Sequence, residues 1–296
     1  MIAFGIDPTE RLESTTEMSQ DSSPKVTACL VTYNEEEGIL AALNSVAFVD
    51  EIVVVESHST DRTREIVRAF RGRNRRGEVV EPRVIERDWP GHVEQKNFAV
   101  TSASHDWVLC LDADERLSAE ARSAVEQVLS EPPDADGYSF ARKTFYLGRW
   151  ILHGGWYPDR KLRLFRRSAG QWGGVNPHDH VYVNGRSRAL EGDILHYSYR
   201  AIEEHIRQIN FFTDIAAAEK HKAGVRFPVL RMLLHGPLKF FKMYFLQLGF
   251  RDGRAGFLVA SLGAYYVFLK YAKLWELQMD GWRKSPDETR VVRADP

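Results

Sequence analysis

Two carboxylates one residue apart stand where an apolar run gives out, in Trp107-Val-Leu-Cys-Leu-Asp112-Ala-Asp114-Glu115. If that run is a buried strand of an open α/β sheet, its carboxyl end is where ligands bind. Alternate residues of an extended segment project to one side, so Asp112 and Asp114 can face one ligand together. Their hard oxygens suit Mg2+ or Mn2+ on a diphosphate. The competing reading is a pair of solvated turn carboxylates ahead of a helix capped by Ser118. A phosphatase that opens on Asp-x-Asp wants a hydroxylated or β-branched residue next, and Glu115 follows here.

Another acid, Glu56, ends the run Val53-Val-Val-Glu56-Ser-His58-Ser59-Thr60-Asp61-Arg62-Thr63. A hydroxyl-rich turn then opens a helix, with Ser59 or Thr60 as its expected N-cap. Alone this is an ordinary strand-to-helix junction; in the first half of a nucleotide-type sheet it gains a second meaning. Lys161-Leu-Arg163-Leu-Phe165-Arg166-Arg167 sets alternating basic side chains on one strand, where they either meet phosphates or face water. His178, Asp179 and His180 invite a metal reading, but adjacent strand positions point opposite ways and no second ligand group has matching spacing. His196, after Ile194-Leu195, reads as a hydrogen-bonded core histidine.

The elements that must position these residues follow from the periodicity. Val26–Val31, Glu51–Val55, Arg83–Glu86 and Trp107–Leu111 read as strands. Helical patterns lie near Glu36–Ser45, over Asp61–Phe70, around Gln95–Val100, and from Ser118 through Leu129. Such alternation implies a doubly wound, mostly parallel sheet. After Pro132-Pro133 the texture becomes Gly- and aromatic-rich. Tyr138–Phe145, Lys161–Arg166 and Tyr182–Val183 suggest irregular β structure between long loops, and a helix is expected over Ala201–His221.

The 296 residues, 44% hydrophobic and 27% charged, can bury one sizeable core plus an appendage. With 40 basic against 41 acidic residues, a surface built for nucleic acid is not expected. Cys29 and Cys110 sit in strand-like apolar runs and fit no disulfide or metal spacing, which suits a reducing cytoplasm. Residues 1–24 lack the pattern of a secretory signal and read as a disordered tail.

Four segments in order carry a resemblance: Val31-Thr-Tyr-Asn34-Glu35-Glu36, Ser59-Thr60-Asp61, Gln95-Lys96-Asn97 and Leu111-Asp112-Ala-Asp114-Glu115. From about Lys25 to about Leu277 the chain resembles glycosyltransferase family 2. The resemblance implies a GT-A nucleotide-sugar fold and inverting transfer. The donor would lie near Tyr33, Glu35, Glu56, Asp61 and Asp112, with Lys96 at the diphosphate and Asp114 reaching Mg2+ or Mn2+. It also implies that Asp179 is the catalytic base, because the family places a carboxylate after His here, and that His178 and His196 are candidates for the rim. Trp156, with Tyr157 beside Gly154-Gly155, suits a mobile lid on an acceptor sugar or a ring packed under the loop. Arg163 and Arg166 are further acceptor-side candidates. The chain departs from the family in having Glu56 for Asp, His58 for Gly in the turn, and Asp179 for Glu.

Residues 25–225 are thus expected to form the catalytic domain, and 226–280 an apolar helical extension before a polar tail over 281–296. The extension interleaves Arg226, Arg231, Lys239, Lys242, Arg251 and Arg254 with aromatic residues. Its longest charge-free run, Ala255–Leu269, is short of the roughly 20 residues that span a bilayer, so lying on the inner face of the cytoplasmic membrane is expected over crossing it. Packing on the catalytic domain or a second subunit is the other reading. Gly249-Phe-Arg-Asp252-Gly253 and Gly256-Phe257 resemble lipopolysaccharide-core glucosyltransferases, which implies transfer from UDP-glucose to a heptose of a lipid-linked core. A polyprenyl-phosphate acceptor, or a catalytically silent nucleotide-sugar-binding scaffold, are the alternatives.

Overall fold

A computed structural model describes residues 23–175 and 178–279, without the side chains of Val175 and His178. The tail expected over 1–24 lies outside these residues except at its last two positions, and so does the tail expected over 281–296.

The first half alternates as its periodicity requires. β1 (Val26–Thr32), α1 (Ile39–Val46), β2 (Glu51–Glu56) and α2 (Thr63–Ala69) lead to a small hairpin of β3 (Gly72–Arg73) and β4 (Val79–Val80). β5 (Pro82–Glu86), α3 (His92–Thr101), β6 (Trp107–Asp112), β7 (Glu115–Leu117) and α4 (Ala119–Ser130) follow. Then come β8 (Gly137–Tyr146), β9 (Arg149–Ile151), β10 (Asp159–Arg166), β11 (Gly170–Val175), β12 (His178–Val183) and β13 (Ser187–His196). The chain closes with α5 (Ile202–Lys222), α6 (Pro228–Phe241), a π turn at Lys242–Leu246, a 3-10 turn at Gly249–Asp252 and α7 (Gly253–Gln278).

Nine strands form one sheet in the order β5-β2-β1-β6-β10-β8-β13-β7, with β9 on β8. The first four are parallel, whereas β10 runs antiparallel to both neighbours. β1 feeds both faces: Val26, Ala28 and Leu30 enter the core with α1, α2 and α4, while Cys29 joins the opposite core, where α3 and Trp172 lie. Both cysteines are free and buried, in register on β1 and β6.

Three local expectations are corrected. The β structure expected over Tyr138–Phe145 and Lys161–Arg166 is present but more regular than expected, because β8, β10 and β13 continue the same sheet. β13 went unforeseen: most of its side chains are exposed or half-buried, so it shows little period-two signal. Neither Ser59 nor Thr60 caps α2, which begins only at Thr63; Asp61 Oδ1 accepts from the Thr63 N–H at 3.0 Å instead. Ser118 does cap α4, accepting from the Ala121 N–H at 3.2 Å.

The C-terminal helices pack on the sheet and on one another. Met243, Ala255, Val259 and Ala260 form a core with Tyr146 and Ile151, and Tyr271 and Leu274 pack with Ala217 of α5. Gly249–Gln278 is, among the described residues, the one helical segment long and apolar enough to cross a bilayer. A charge-free run undervalued that helix, since Arg254 and Lys270 sit near its ends without stopping it.

Candidate active site

A cavity of about 830 Å³ opens where β1 and β6 end, the carboxyl edge of the parallel half. Tyr33, Glu35, Lys96, Asp112, Asp114, Arg163, Asp179 and His196, all singled out from the sequence, line it.

Three consecutive residues of α3 hold the pieces together, because neighbours on a helix fan out by about 100°. Gln95 Nε2 donates to Ser57 Oγ at 3.0 Å, in the turn after β2. Lys96 Nζ lies 2.8 Å from Asp112 Oδ1 and 2.8 Å from Asp179 Oδ2. The Asn97 side-chain amide donates to the Trp172 carbonyl of β11 and accepts from the Trp172 N–H. The Trp172 ring in turn lies under Lys96 and Arg163, at 4.4 and 5.2 Å.

Asp112 is the last residue of β6 and Asp114 sits in the turn that follows, so the pair is not one extended segment as the spacing suggested. Both still line the cavity, with different partners. Burial favours the neutral Asp112 carboxyl, but the charges of Lys96 and Arg163 outweigh it and hold the group well below the usual carboxylate range. Asp114 Oδ2 instead accepts from His196 Nε2 at 3.1 Å, which brings His196 from an expected core position to the cavity wall.

Arg163 is buried. Its Nη2 donates to both Glu115 oxygens at 2.8 Å and to Asp112 Oδ2 at 3.0 Å, so it orders carboxylates rather than offering itself to a phosphate. Arg166 is corrected outright: at the far end of β10 it pairs with Asp106 and Asp136 and covers Trp107, away from the cavity. Glu115, fully buried between Arg163 and Arg142, was legible only as part of a motif.

Two donor-side expectations also move. Glu56 is fully buried and does not line the cavity; its oxygens accept from the backbone N–H groups of His58 and Ser59. The carboxylate lies beneath a turn in which His58 takes the left-handed φ of 60° usually left to glycine, so the two departures occupy one turn. Asp61 spends its oxygens on the N–H groups of Thr63 and Glu36 and shapes the Asn34–Glu36 loop. That loop is held further by Thr60 N–H on Asn34 Oδ1 at 2.8 Å and Glu35 N–H on Thr63 Oγ1 at 2.7 Å. Within the cavity, burial and then the Asp114 charge push the Glu35 carboxyl up to about 7, although Arg200 pulls the other way.

Trp156 is no free lid. Its ring stacks on Tyr146 at 5.9 Å and packs beside Tyr199 and His205. His178 contributes backbone to β12, opposite Val175; its side chain is outside the described residues. Sequence reasoning missed Arg142, Arg160, His92, Trp89 and Gln208 on the cavity wall, since none sits in a recognisable pattern. The basic character of β8 and β10 was the available signal for Arg142.

Asp114 and His196 are the pair that could hold a divalent ion. A carboxylate oxygen and an imidazole nitrogen in contact at a cavity wall suit Mn2+ or Mg2+, whose remaining positions diphosphate oxygens and water commonly fill. Asp112 is committed to two cations and fits that role less well.

The model of the family described as Glycosyl transferase family 2 matches residues 27–239. A lipopolysaccharide core biosynthesis glycosyltransferase, LpsC, of Rhizobium meliloti is 28% identical over 253 residues, 85% of this chain and 92% of that one. A glycosyltransferase of Rickettsia felis is 31% identical over 272 residues, 85% of this chain and 90% of that one. Among solved structures, the mannosyltransferase PcManGT from Pyrobaculum calidifontis, in complex with GDP-Man and Mn2+, aligns at 16% identity with a TM-score of 0.47, over 89% of this chain and 88% of that one.

Proposed function

The chain belongs to glycosyltransferase family 2, and on that premise we propose that it inverts the anomeric centre of a nucleotide-sugar while passing the sugar to a lipid-linked glycan. The observation that carries this reading is the meeting of Asp112, Asp114, His196, Lys96 and Asp179 at one cavity. Asp179 takes the acceptor's hydroxyl proton as that oxygen bonds to the anomeric carbon. The bond from carbon to diphosphate breaks, and its electrons leave with the nucleoside diphosphate. A divalent ion, when bound, supplies a positive charge for the departing diphosphate. Asp114 and His196 would hold it. Lys96 serves as a second cation, with Asp112 and Arg163 fixing its position.

UDP-glucose and a lipopolysaccharide-core acceptor are the preferred substrates of this reading; the core-biosynthesis relative in Rhizobium meliloti supports the acceptor, and the donor rests on the resemblance at Gly249–Gly253 and Gly256-Phe257. Two spanning helices would favour a polyprenyl-phosphate acceptor; among the described residues one segment is long and apolar enough to cross a bilayer. The reading also places the enzyme on the inner face of the cytoplasmic membrane. Leu230, Leu234, Leu238, Phe241 and Leu246 are each more than half exposed, with Arg226, Lys242, Arg251 and Arg254 exposed around them. Apolar anchors ringed by basic side chains suit an anionic leaflet.

Thermal shift with UDP-, GDP-, ADP- and dTDP-sugars, with and without Mn2+, tests the donor, since a ligand of the native state raises its stability. Stabilisation by UDP-glucose alone, and only with Mn2+, is expected. Stabilisation by another sugar would discard the glucosyl assignment, and a folded protein without any metal-dependent response would favour the silent scaffold.

A further inference from the structure

Beyond the first cavity lies a second of about 350 Å³, between the Gly154–Trp156 loop and the C-terminal helices. The two share Tyr199, Gln208 and Phe212 as walls, so they adjoin. Ile209, Met243, Val259 and Leu262 give the second cavity an apolar side, to which Trp156 and Tyr266 add aromatic surface, while His205, Gln208 and Gln247 make the rest polar. One full charge faces this space, the ammonium of Lys239.

No carboxylate pairs with Lys239 among the described residues, and its charged neighbours are themselves cations. Burial and then Lys242 depress the Lys239 ammonium, and burial, Lys220 and Lys239 depress that of Lys270. Two acids of α5 pair with other lysines, Asp214 with Lys273 and Glu219 with Lys222. A chamber with one apolar side, one polar side and an ammonium without a carboxylate partner on its wall, beside the first cavity, suits an amphipathic anion.

We infer that this second cavity receives a phosphate-bearing, apolar segment of the acceptor, with Lys239 meeting the phosphate and the hydroxyl to be glycosylated passing Gln208 toward Asp179. The word acceptor rests on the glycosyltransferase reading; the affinity for an amphipathic phosphate does not. The phosphate belongs either to a lipid or to the sugar of a glycolipid, and the apolar side formed by Ile209, Met243, Val259 and Leu262 commits the site to a lipid-borne one.

Trp156 lines the cavity and reports on it. The test titrates the full-length protein with dodecyl phosphate, dodecyl maltoside and glucose 6-phosphate below micellar concentrations, following tryptophan fluorescence. Dodecyl phosphate is expected to saturate at least tenfold more tightly than either comparator. Lys239→Gln and Lys239→Glu should erase that preference, and Trp156→Phe should remove the saturable signal. Equal affinity for dodecyl maltoside, equal affinity for glucose 6-phosphate, a preference that survives in both Lys239 variants, or a signal that survives in Trp156→Phe would each overturn the inference. Donor-dependent thermal shift is read separately. A donor response without dodecyl phosphate binding sinks only this inference, and the reverse sinks only the glycosyltransferase mechanism.

Discussion

Lys96 Nζ is 2.8 Å from Asp179 Oδ2, an ion pair whose two side chains are 8% and 10% exposed. The ammonium also touches Asp112, so one side chain of α3 holds both carboxylates at the cavity wall. With Asp179 as the proposed base, Asp179→Asn is expected to lower transfer by about a hundredfold or more while metal-dependent donor stabilisation persists. Transfer at the normal rate by this variant would remove Asp179 as the base.

His196→Ala and Asp114→Ala should both weaken the Mn2+ dependence of donor binding. Their contact at 3.1 Å makes them one unit, so the half-saturating Mn2+ concentration should rise roughly tenfold or more in either variant. A Mn2+ titration of donor-induced thermal shift measures this. An unchanged midpoint in both variants would move the ion to another place.

Glu115 is fully buried and carries two arginines, Arg163 and Arg142. Replacing it by Leu leaves Arg163 without its main counter-charge, a loss of about 3–5 kcal/mol. Urea denaturation should register it. The exposed pair Glu203–Arg207 gives the contrast, since Glu203→Ala should cost about 0.5 kcal/mol or less. Comparable losses for the two variants would contradict the burial argument.

Burial pushes the His205 imidazole down to about 4, where it shares a hydrogen bond with the Tyr146 hydroxyl at 3.1 Å. Unfolded, the same ring takes a proton near pH 6.5. Between those values the unfolded chain binds more protons than the native one, so this group's contribution is complete above about pH 6.5. It is lost as pH falls toward 4, by about 2–3 kcal/mol. The stability gap between the wild type and His205→Gln should accordingly narrow between pH 7 and 4.5. A gap of constant size would mean that His205 titrates normally in the fold.

Much of the donor half was legible because its signals are local. A β-branched run names a strand, and the four β1, β2, β5 and β6 runs appear where the periodicity places them. Clustering of Lys96, Asp112 and Asp114 follows once those strands share one edge. What escaped depends on contacts between distant residues. Whether Arg163 faces a ligand or a buried acid is decided by Glu115, 48 positions away, and whether His196 is core or wall is decided by Asp114, 82 positions away. Glu56 misled because an acid at a strand end looks the same whether it awaits a ligand or satisfies backbone N–H groups. Trp156 misled because flanking glycines suggest mobility, whereas its neighbours hold the ring.

The Gly249–Gly253 segment that resembles core glucosyltransferases has a mechanical role in this fold. Asp252, 1% exposed, accepts from the N–H groups of Leu152 and His153 and contacts the His153 ring, while Gly154 N–H reaches Gln247 O at 2.9 Å. These bonds staple the loop wall of the second cavity to its helical wall. The aperture is therefore gauged by fasteners at its rim and not by the side chains that fill it. Lining residues such as Leu262 or Tyr266 can change in size or polarity while the two walls keep their spacing, which leaves the preference for one occupant over another open to substitution without rebuilding the frame.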